Sequence, residues 1–333
     1  MDDPEWDFRI KRYDYDVYHS SAYVRSTLAM DAGQPFLISV QLGDSELLLP
    51  LIRRQIGSTA HWDAQSPYGY GGWLSRSGST ETDFDTTFES ALEYLRDAGC
   101  VSVLLRTHPL LNSSIPSVLT HPPWSICTPT VAMDLSSGPD IVWTGVRAGV
   151  RRDVRRTLDH GLLFRREIGP VDLSSFAEIY LAHMVGIEAD HFYRFSSGYF
   201  SGLAQLLASD CEWHWVERDG EILATSLVLT NGERAHYHLA ASTEEGLRSG
   251  AAKVLIVSSA LDLQERNHRW FHLGGGRGGR EDSLFDFKRG FGSLRHEFRS
   301  FGVILDPIHY EEIVASRGVA PSQHSGRFPG YRD

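Results

Sequence analysis

The chain has few lysines, few cysteines and no long apolar run, and each shortage excludes a class of protein. Of its 333 residues 32 are basic, and only Lys11, Lys253 and Lys288 are lysine. A net charge of −11 excludes the basic coat of a general nucleic-acid-binding protein. The three cysteines lie far apart and form neither a zinc-ligand spacing nor a disulfide framework. We therefore expect no metal centre.

The composition is otherwise that of an ordinary globular protein, with 41% hydrophobic and 23% charged residues. No apolar run approaches the 18 residues of a membrane span, so no membrane partner is expected. The chain starts with MDDPE, which is acidic where a signal peptide is basic, and this predicts a cytoplasmic protein. The length predicts two domains or one large one.

Hydrophobic periodicity divides the chain into alternating strands and helices. The dipeptides Asp219-Gly220 and Asn231-Gly232 predict two tight hairpins. Residues 112–140 form a connection that is rich in Ser, Pro and Thr. The predicted helices are 17–30, 84–98, 141–161, 172–188, 199–208 and 250–266, and the predicted strands are 35–42, 46–56, 101–106, 129–135, 162–168, 212–217, 221–230, 234–241, 270–273 and 298–305.

The second half therefore contains a three-stranded meander, a helix and another strand, which is the order of an acetyltransferase-type fold. The first half is a shorter version of the same order. We expect one domain over residues 1–140, a second over residues 141–305, and a tail over residues 306–333 that packs back on the first domain. After residue 317 the tail is rich in Gly, Ser and Pro and is predicted to be loosely held.

Several motifs in this order resemble the Fem-type transferases, over about residues 10–305. These enzymes have a tandem acetyltransferase fold and form amide bonds from aminoacyl-tRNA. The motifs are SPYGYGGW (66–73), LLRTHPLL (104–111), WTGVRAGVRRDVRRTLDHGL (143–162), YHLAAST (237–243), FHLGGG (271–276) and SLFDFKRGFG (283–292).

The resemblance implies an α/β (α+β) fold with two tandem GNAT-like domains, each a mixed sheet flanked by helices. The first domain would hold the acceptor and the second the donor. A tandem chain supplies its own partner domain, so a monomer is compatible with the fold.

The resemblance also places the family's Phe-Lys pair on Phe287 and Lys288, with the lysine beside the transferred carbonyl. An amine that attacks an ester or thioester passes through a tetrahedral oxyanion, and one fixed donor there lowers the barrier by roughly 3–4 kcal/mol. Lysine is also the rare cation in this chain. A surface lysine on a short helix is the structural alternative.

His108 follows the predicted strand 101–106 and is the candidate general base, because imidazole accepts protons near neutral pH. Cell-wall members of the family would have an acidic residue near this strand end, so histidine leaves the identity of the acceptor open. A histidine that only stabilises the loop is the alternative.

Other residues are candidates for binding the acceptor. Tyrosines in a glycine-rich loop offer flat faces and hydroxyl groups, and core packing is the competing role. A segment that grips the acceptor in the family is loosely matched by HFYRFSSGYF (191–200). The candidates are Asp63, Ser66, Tyr68, Tyr70, Arg106, Arg194, Tyr199 and Tyr237, together with Phe287.

The donor side has two groups of candidates. Arg147, Arg151 and Arg155 recur every four residues and share one helix face, which suits the phosphates of a tRNA acceptor arm. Acyl-CoA enzymes of this fold bind pyrophosphate at a helix N-terminus. Gly250 fits that pattern, Arg248 is one position off, and Lys253 lies just inside the helix. This coenzyme A loop is therefore degenerate.

We therefore expect an aminoacyltransferase with no bound cofactor and with aminoacyl-tRNA as its co-substrate. Its expected partners are charged tRNA and an amine of a small peptide, an antibiotic precursor or a cell-wall precursor. An acyl-CoA-dependent N-acyltransferase is the first alternative. A non-catalytic ligand-binding protein on a decayed GNAT fold is the second.

Overall fold

The computed structural model describes residues 3–30, 32–76, 81–169, 173–317 and 328–332. The chain forms two compact units, one of residues 1–127 and 298–333 and the other of residues 128–297. The sequence had instead suggested divisions after residues 140 and 305. The end of the chain joins the first unit because strand β12 (Leu294–Ile304) pairs there with strand β5 (Cys100–Arg106).

The first unit is a mixed sheet covered by helices. Strands β1, β2, β3, β5 and β12 lie side by side in that order, β3 and β5 are parallel, and β4 pairs with another part of β2. The remaining bounds are β1 (Gln34–Leu42), β2 (Ser45–Gln55), β3 (Trp62–Gln65), β4 (Leu74–Arg76), α1 (Asp3–Ile10), α2 (Ser21–Ser26), α3 (Glu81–Asp97) and α11 (Pro307–Ser316).

Strand β2 reads as a nearly continuous apolar run because both of its faces are covered. Leu47, Leu49 and Leu51 belong to one core cluster with residues of α3. Leu48 and Ile52 point the other way and pack in a second cluster with residues of α1 and α2.

The second unit is also built of parallel and antiparallel strands that are covered by helices. Its strands lie in the order β6-β11-β10-β9-β8-β7, with β10 and β11 parallel and the other neighbours antiparallel. The strands are β6 (Trp124–Asp134), β7 (Leu163–Ile168), β8 (Cys211–Arg218), β9 (Glu221–Asn231), β10 (Arg234–Ser242) and β11 (Trp270–Gly274). The helices are α4 (Pro139–Gly145), α5 (Ala148–Asp159), α6 (Ser174–Gly186), α7 (Ser197–Leu207), α8 (Glu244–Ser249), α9 (Ala251–Glu265) and α10 (Ser283–Lys288).

Both predicted hairpins of the second unit are confirmed. Asp219 and Gly220 have φ angles of 53° and 83° between β8 and β9, and Asn231 and Gly232 join β9 to β10. Helix α9 is the central helix of this unit's core, and its apolar residues pack in one cluster with those of β6, β9 and β11.

Other predictions are corrected. The predicted helix 141–161 is two helices, α4 and α5, because Val146 and Arg147 are extended, with ψ angles of 137° and 135°. The predicted helix 17–30 contains only the short α2 between two 3-10 turns. Helices α1 and α11 were not predicted. The tail after residue 317 was predicted to be loosely held, and its residues 318–327 and 333 lie outside the described ranges. Residues 328–332 are not loosely held, because Tyr331 is buried and its hydroxyl lies 2.8 Å from that of Ser102.

Within the ranges that the structure describes, no helix combines the length and the apolar character that crossing a membrane requires.

Candidate active site

Lys288 is the last residue of the short helix α10 and is only 9% exposed. Asp282 caps the start of this helix, where its carboxylate accepts hydrogen bonds from the N–H groups of Leu284 and Phe285. Phe285 packs into the core of the second unit. The lysine therefore projects from a helix that is fixed at its start by a cap and on its side by the core.

The ammonium of Lys288 has a single partner. Its Nζ donates to the backbone carbonyl of Gly275 at 2.7 Å, and among the described residues this is its only hydrogen bond and it has no ion pair. Burial lowers the pKa of Lys288 to about 8, and the negative charge of Asp282 opposes that shift. An ammonium has three N–H donors, so two remain for a ligand oxygen.

Glycine is required in the loop that supplies this carbonyl. A Cβ at Gly276 would collide with the carbonyl oxygen of Arg280, and one at Gly275 would lie 2.9 Å from the carbonyl oxygen of Pro129. The loop therefore folds tightly back, and Arg277 closes it with an ion pair to Asp282 at 3.0 Å.

The parallel strands β10 and β11 separate at the end where this loop begins. Their pairing covers three positions and stops at His236 and His272, whereas β10 continues to Ser242. Because the strands are parallel, Gly275 follows β11 at the edge towards which the unpaired part of β10 runs. Ligands of α/β sheets commonly bind at the carboxyl ends of parallel strands.

Tyr237 is the first residue of β10 beyond this pairing, as a site-lining residue would be. It is half-buried, its ring packs edge-on against Phe271 with centroids 6.1 Å apart, and burial raises the pKa of its hydroxyl. Phe287 packs against the same core cluster as Tyr237. Tyr237 and Phe287 thus both pack against the core of the second unit, and Lys288 follows Phe287 on α10.

Tyr199 is buried on helix α7, where its hydroxyl lies 2.8 Å from Nε2 of His238. His238 is the extra residue of a bulge, since the β10–β9 register shifts between Tyr237 and Leu239. Burial, aided by the neighbouring His236, lowers the pKa of His238 to about 3, so this imidazole is neutral. Arg194 is not brought to this group; it is exposed and reaches only the Ala189 carbonyl, at 3.5 Å.

The basic helix α5 begins next to the Lys288 turn. The backbone N–H of Arg147 donates to the carbonyl of Gly290 at 2.8 Å, two residues beyond the lysine. The start of an arginine-rich helix is therefore bonded to the turn that directly follows Lys288.

The arginines of α5 differ in what they contact. Arg151 donates to the Thr144 carbonyl at 2.7 Å, and the Arg155 guanidinium lies 5.2 Å from the centre of the Trp143 ring. Arg147 and Arg152 are exposed, and neither forms an ion pair with any described residue. This part of the helix offers positive charge to solvent.

The cations around the start of α9 are already paired. Lys253 lies 2.5 Å from Asp153, and Arg248 pairs with Glu245 at 3.2 Å. Gly250 adopts the left-handed conformation, with φ of 78°, between α8 and α9. Four glutamates line a nearby groove of about 460 Å³: Glu178, Glu221, Glu244 and Glu245. A pyrophosphate would compete with these acids for each cation.

In the first unit, Ser66 and Arg106 are brought together. The Ser66 hydroxyl accepts from the backbone N–H of Arg106 at 3.0 Å, and the Arg106 guanidinium donates to the Ser66 carbonyl. The carbonyl of Tyr68 accepts from the Tyr23 hydroxyl at 2.8 Å. Tyr70 packs edge-on against Tyr18 with centroids 5.6 Å apart. The glycine-rich loop is thus tied to its own unit at several points.

His108 is fully buried in the same unit and faces the buried carboxylate of Asp16. Its Nε2 lies 3.5 Å from Oδ2 of Asp16, and its Nδ1 accepts the backbone N–H of Leu110 at 3.2 Å. This bonding assigns the ring proton to Nε2. His108 can therefore accept a proton only after the Leu110 bond breaks, or transfer one together with Asp16.

Asp63 belongs to a different network. One carboxylate oxygen accepts from Arg54 at 2.8 Å and the other from Arg332 at 2.7 Å, and the aspartate is fully buried. Asp63 thus holds the end of the chain against β3, and both of its oxygens are engaged there.

Comparisons with known proteins agree with this architecture. Residues 144–289 match the acetyltransferase (GNAT) domain family. The crystal structure of FemX superposes with a TM-score of 0.68 over 94% of this chain and 98% of that chain, at 13% sequence identity. The chain has the fold of FemX. The expected Fem-type fold of tandem GNAT-like sheets flanked by helices is thereby confirmed.

Two further solved structures are similar to this chain. The C-terminal domain of a putative lysylphosphatidylglycerol synthetase from Agrobacterium fabrum is 16% identical and has a TM-score of 0.58, over 90% of this chain and 92% of that one. L-PGS from Bacillus licheniformis is 13% identical, also with a TM-score of 0.58, over 90% and 91%. No curated protein matches the chain.

Several residues of this FemX-like chain were not predicted from its sequence. Asp16 lies far from His108 in sequence, and no spacing connects them. His238 and His236 stand in HYHL, where alternation along a strand is a signal that could have identified them. The partner of Lys288 is a backbone carbonyl, which has no signature beyond the glycines around it.

Proposed function

We propose that this chain is an aminoacyltransferase that forms an amide bond between an aminoacyl group and an acceptor amine. The observation that carries the proposal is the buried Lys288 ammonium with one carbonyl partner and two remaining donors. A buried charge with so few partners costs stability, and a site with a developing oxyanion gives it a use.

In the proposed reaction Lys288 is the donor that stabilises the oxyanion. The acceptor nitrogen attacks the ester carbonyl, and the carbonyl oxygen takes up negative charge that Lys288 stabilises by hydrogen bonding. The acceptor nitrogen loses a proton, the carbon–oxygen ester bond breaks, and the leaving oxygen takes up a proton to become a hydroxyl group. The new carbon–nitrogen bond is an amide. The bond to Gly275 fixes the ammonium before the charge develops, so little reorganisation is needed.

We propose aminoacyl-tRNA as the donor because of what surrounds Lys288. The exposed guanidiniums of Arg147 and Arg152 suit phosphates, and α5 starts at the Lys288 turn. The cations at the start of α9, where coenzyme A would need them, are paired with acids. The resemblance to Fem-type enzymes, which use aminoacyl-tRNA, supports the same donor. The proposed acceptor is an amine of a small peptide or of a natural-product or cell-wall precursor.

An acyl-CoA-dependent N-acyltransferase is the second candidate. The match of residues 144–289 to the acetyltransferase (GNAT) domain family favours it. Gly250 before α9 and the separation of β10 from β11 are compatible with either donor.

The deciding experiment offers both donors to the purified protein. A pool of charged tRNA or acetyl-CoA is incubated with a set of candidate amines, with and without RNase, and products are detected by mass. We expect a product that depends on charged tRNA and disappears with RNase. A product that forms from acetyl-CoA and resists RNase would instead establish the second candidate.

Two sets of arginine variants distinguish the two donors further. Removing the charges of Arg147 and Arg152 together is expected to raise KM for charged tRNA by about tenfold, since each phosphate contact contributes to binding. Arg248→Ala is the matched control, because that exposed arginine is already paired with Glu245. The opposite ranking of these variants would favour coenzyme A.

A further inference from the structure

We propose that Lys288 is itself an acylation site: its neutral amine attacks an activated acyl ester or thioester held beside it and becomes an amide. The geometry that stabilises an oxyanion creates this side reaction. A carbonyl oxygen within hydrogen-bond distance of Nζ places its carbon close to the same nitrogen, near the roughly 3–3.5 Å separation of reacting atoms.

The surroundings of Lys288 favour the neutral amine. The ammonium is bonded to a carbonyl and to no carboxylate among the residues that the structure describes. The nearest acid, Asp282, is engaged by the N–H groups of α10 and by Arg277. On the same helix, Asp286 pairs with Arg289. Among the described residues, the neighbouring acids therefore form no direct ion pair with Lys288, and Asp282 acts on its proton only through its charge at a distance.

This environment gives a measurable reactivity. With a pKa of about 8, roughly a tenth of Lys288 is neutral at pH 7, against about 0.03% for a lysine with an ordinary pKa. The lower basicity also makes the neutral amine a weaker nucleophile, and this offsets part of the increase in the neutral fraction. We expect a net advantage of about tenfold over an ordinary lysine.

The step balances without an oxidant or a reductant. The Lys288 nitrogen forms a bond to the acyl carbon and loses a proton, and the carbon–oxygen or carbon–sulfur bond of the donor breaks. The leaving oxygen or sulfur takes the proton. The resulting amide carries no positive charge, so acylation at Lys288 ends any role of this residue in catalysis.

The chain contains its own controls because it has only three lysines. Lys253 forms an ion pair with Asp153 at 2.5 Å, and Lys11 is exposed on the first unit. Peptide mapping therefore resolves every lysine of the protein in one measurement.

The test uses the whole protein and p-nitrophenyl acetate, a small neutral activated ester, between pH 6 and 10. Acetylation at each lysine is followed by peptide mass mapping. We expect Lys288 to be acetylated about ten times faster than Lys253 at pH 7.5, with a rate that levels off above pH 8 to 9. Lys11, which is exposed, provides the comparison with a lysine in solvent.

A Lys288 rate equal to or below that of Lys253, or one that rises steadily to pH 10, overturns the proposal. Asp153→Asn provides a second check, because it releases Lys253 and is expected to accelerate acetylation there and leave Lys288 unchanged. Acylation by a cellular donor rests on the proposed function, but this test does not. A chain that acetylates Lys288 and transfers nothing from tRNA refutes only the proposed function.

Discussion

Replacing Lys288 by methionine is expected to abolish amide formation and also to stabilise the fold. Methionine keeps the length of the side chain and removes the charge. The shift of the lysine pKa from 10.5 to about 8 means that burying the charged form costs about 3 kcal/mol. The loss of the hydrogen bond to Gly275 lowers the stability of the variant by about 1 kcal/mol. Lys288→Met is therefore expected to raise the free energy of unfolding by about 2 kcal/mol at pH 7.

The sign of the pH dependence provides a second measurement. Between pH 8 and about 10.5 the unfolded chain binds the proton that folded Lys288 has lost, so the stability of the wild-type protein rises with pH across this interval. The variant lacks this contribution. The advantage of Lys288→Met is therefore expected to shrink as the pH rises from 8 to 10.5.

Urea unfolding followed by circular dichroism measures both effects, and the amide-forming assay measures the first. Lys253→Met is the control, since it breaks a partly exposed ion pair and is expected to lower stability by no more than about 1 kcal/mol. A Lys288→Met protein that is less stable than the wild type at pH 7, or one that keeps its activity, would refute the reasoning.

Two further predictions concern buried ion pairs. Burial alone would raise the pKa of Glu212, but hydrogen bonds from His214 and Arg266 lower it to about 2. Glu212→Gln is therefore expected to lower the free energy of unfolding by about 3 kcal/mol at pH 7, as measured by urea unfolding. This loss is expected to vanish as the pH falls from 4.5 towards 2. Asp63→Asn leaves Arg54 and Arg332 without their shared carboxylate and is expected to destabilise the first unit by about 3 kcal/mol. In that variant limited proteolysis is expected to remove the end of the chain. If Asp63→Asn instead changes KM for the acceptor and leaves stability unchanged, the result supports the acceptor-binding role of Asp63.

Local chemistry made several features of the fold predictable. The Asp219-Gly220 and Asn231-Gly232 turns require positive φ, which Asp, Asn and Gly tolerate. These two turns therefore identified the three-stranded meander from the sequence alone. The break between α4 and α5 was not predictable from periodicity, because the Arg147 N–H bonds to Gly290, a residue distant in sequence. Helix α11 was missed because its partners lie on β5 and at the chain end.

Some features of the candidate site were likewise predictable from the sequence, and others were not. Lys288 was identified by the scarcity of lysine and by its motif. Its burial and its Gly275 partner could not be predicted, because they depend on the tight fold of a glycine loop. The positions of Arg248 and Lys253 relative to α9 were predicted, but their pairing with acids was not.

The sequence by itself determined the three-stranded meander of the second unit, its tight turns, and the residue types able to stabilise an oxyanion or to contact phosphates. Those properties depend on neighbours along the chain and on side-chain chemistry. Only the tertiary structure decided which charges are neutralised and which are left with a single partner. That outcome depends on desolvation and on contacts between residues far apart in sequence, such as Asp153 with Lys253 and Asp63 with Arg332.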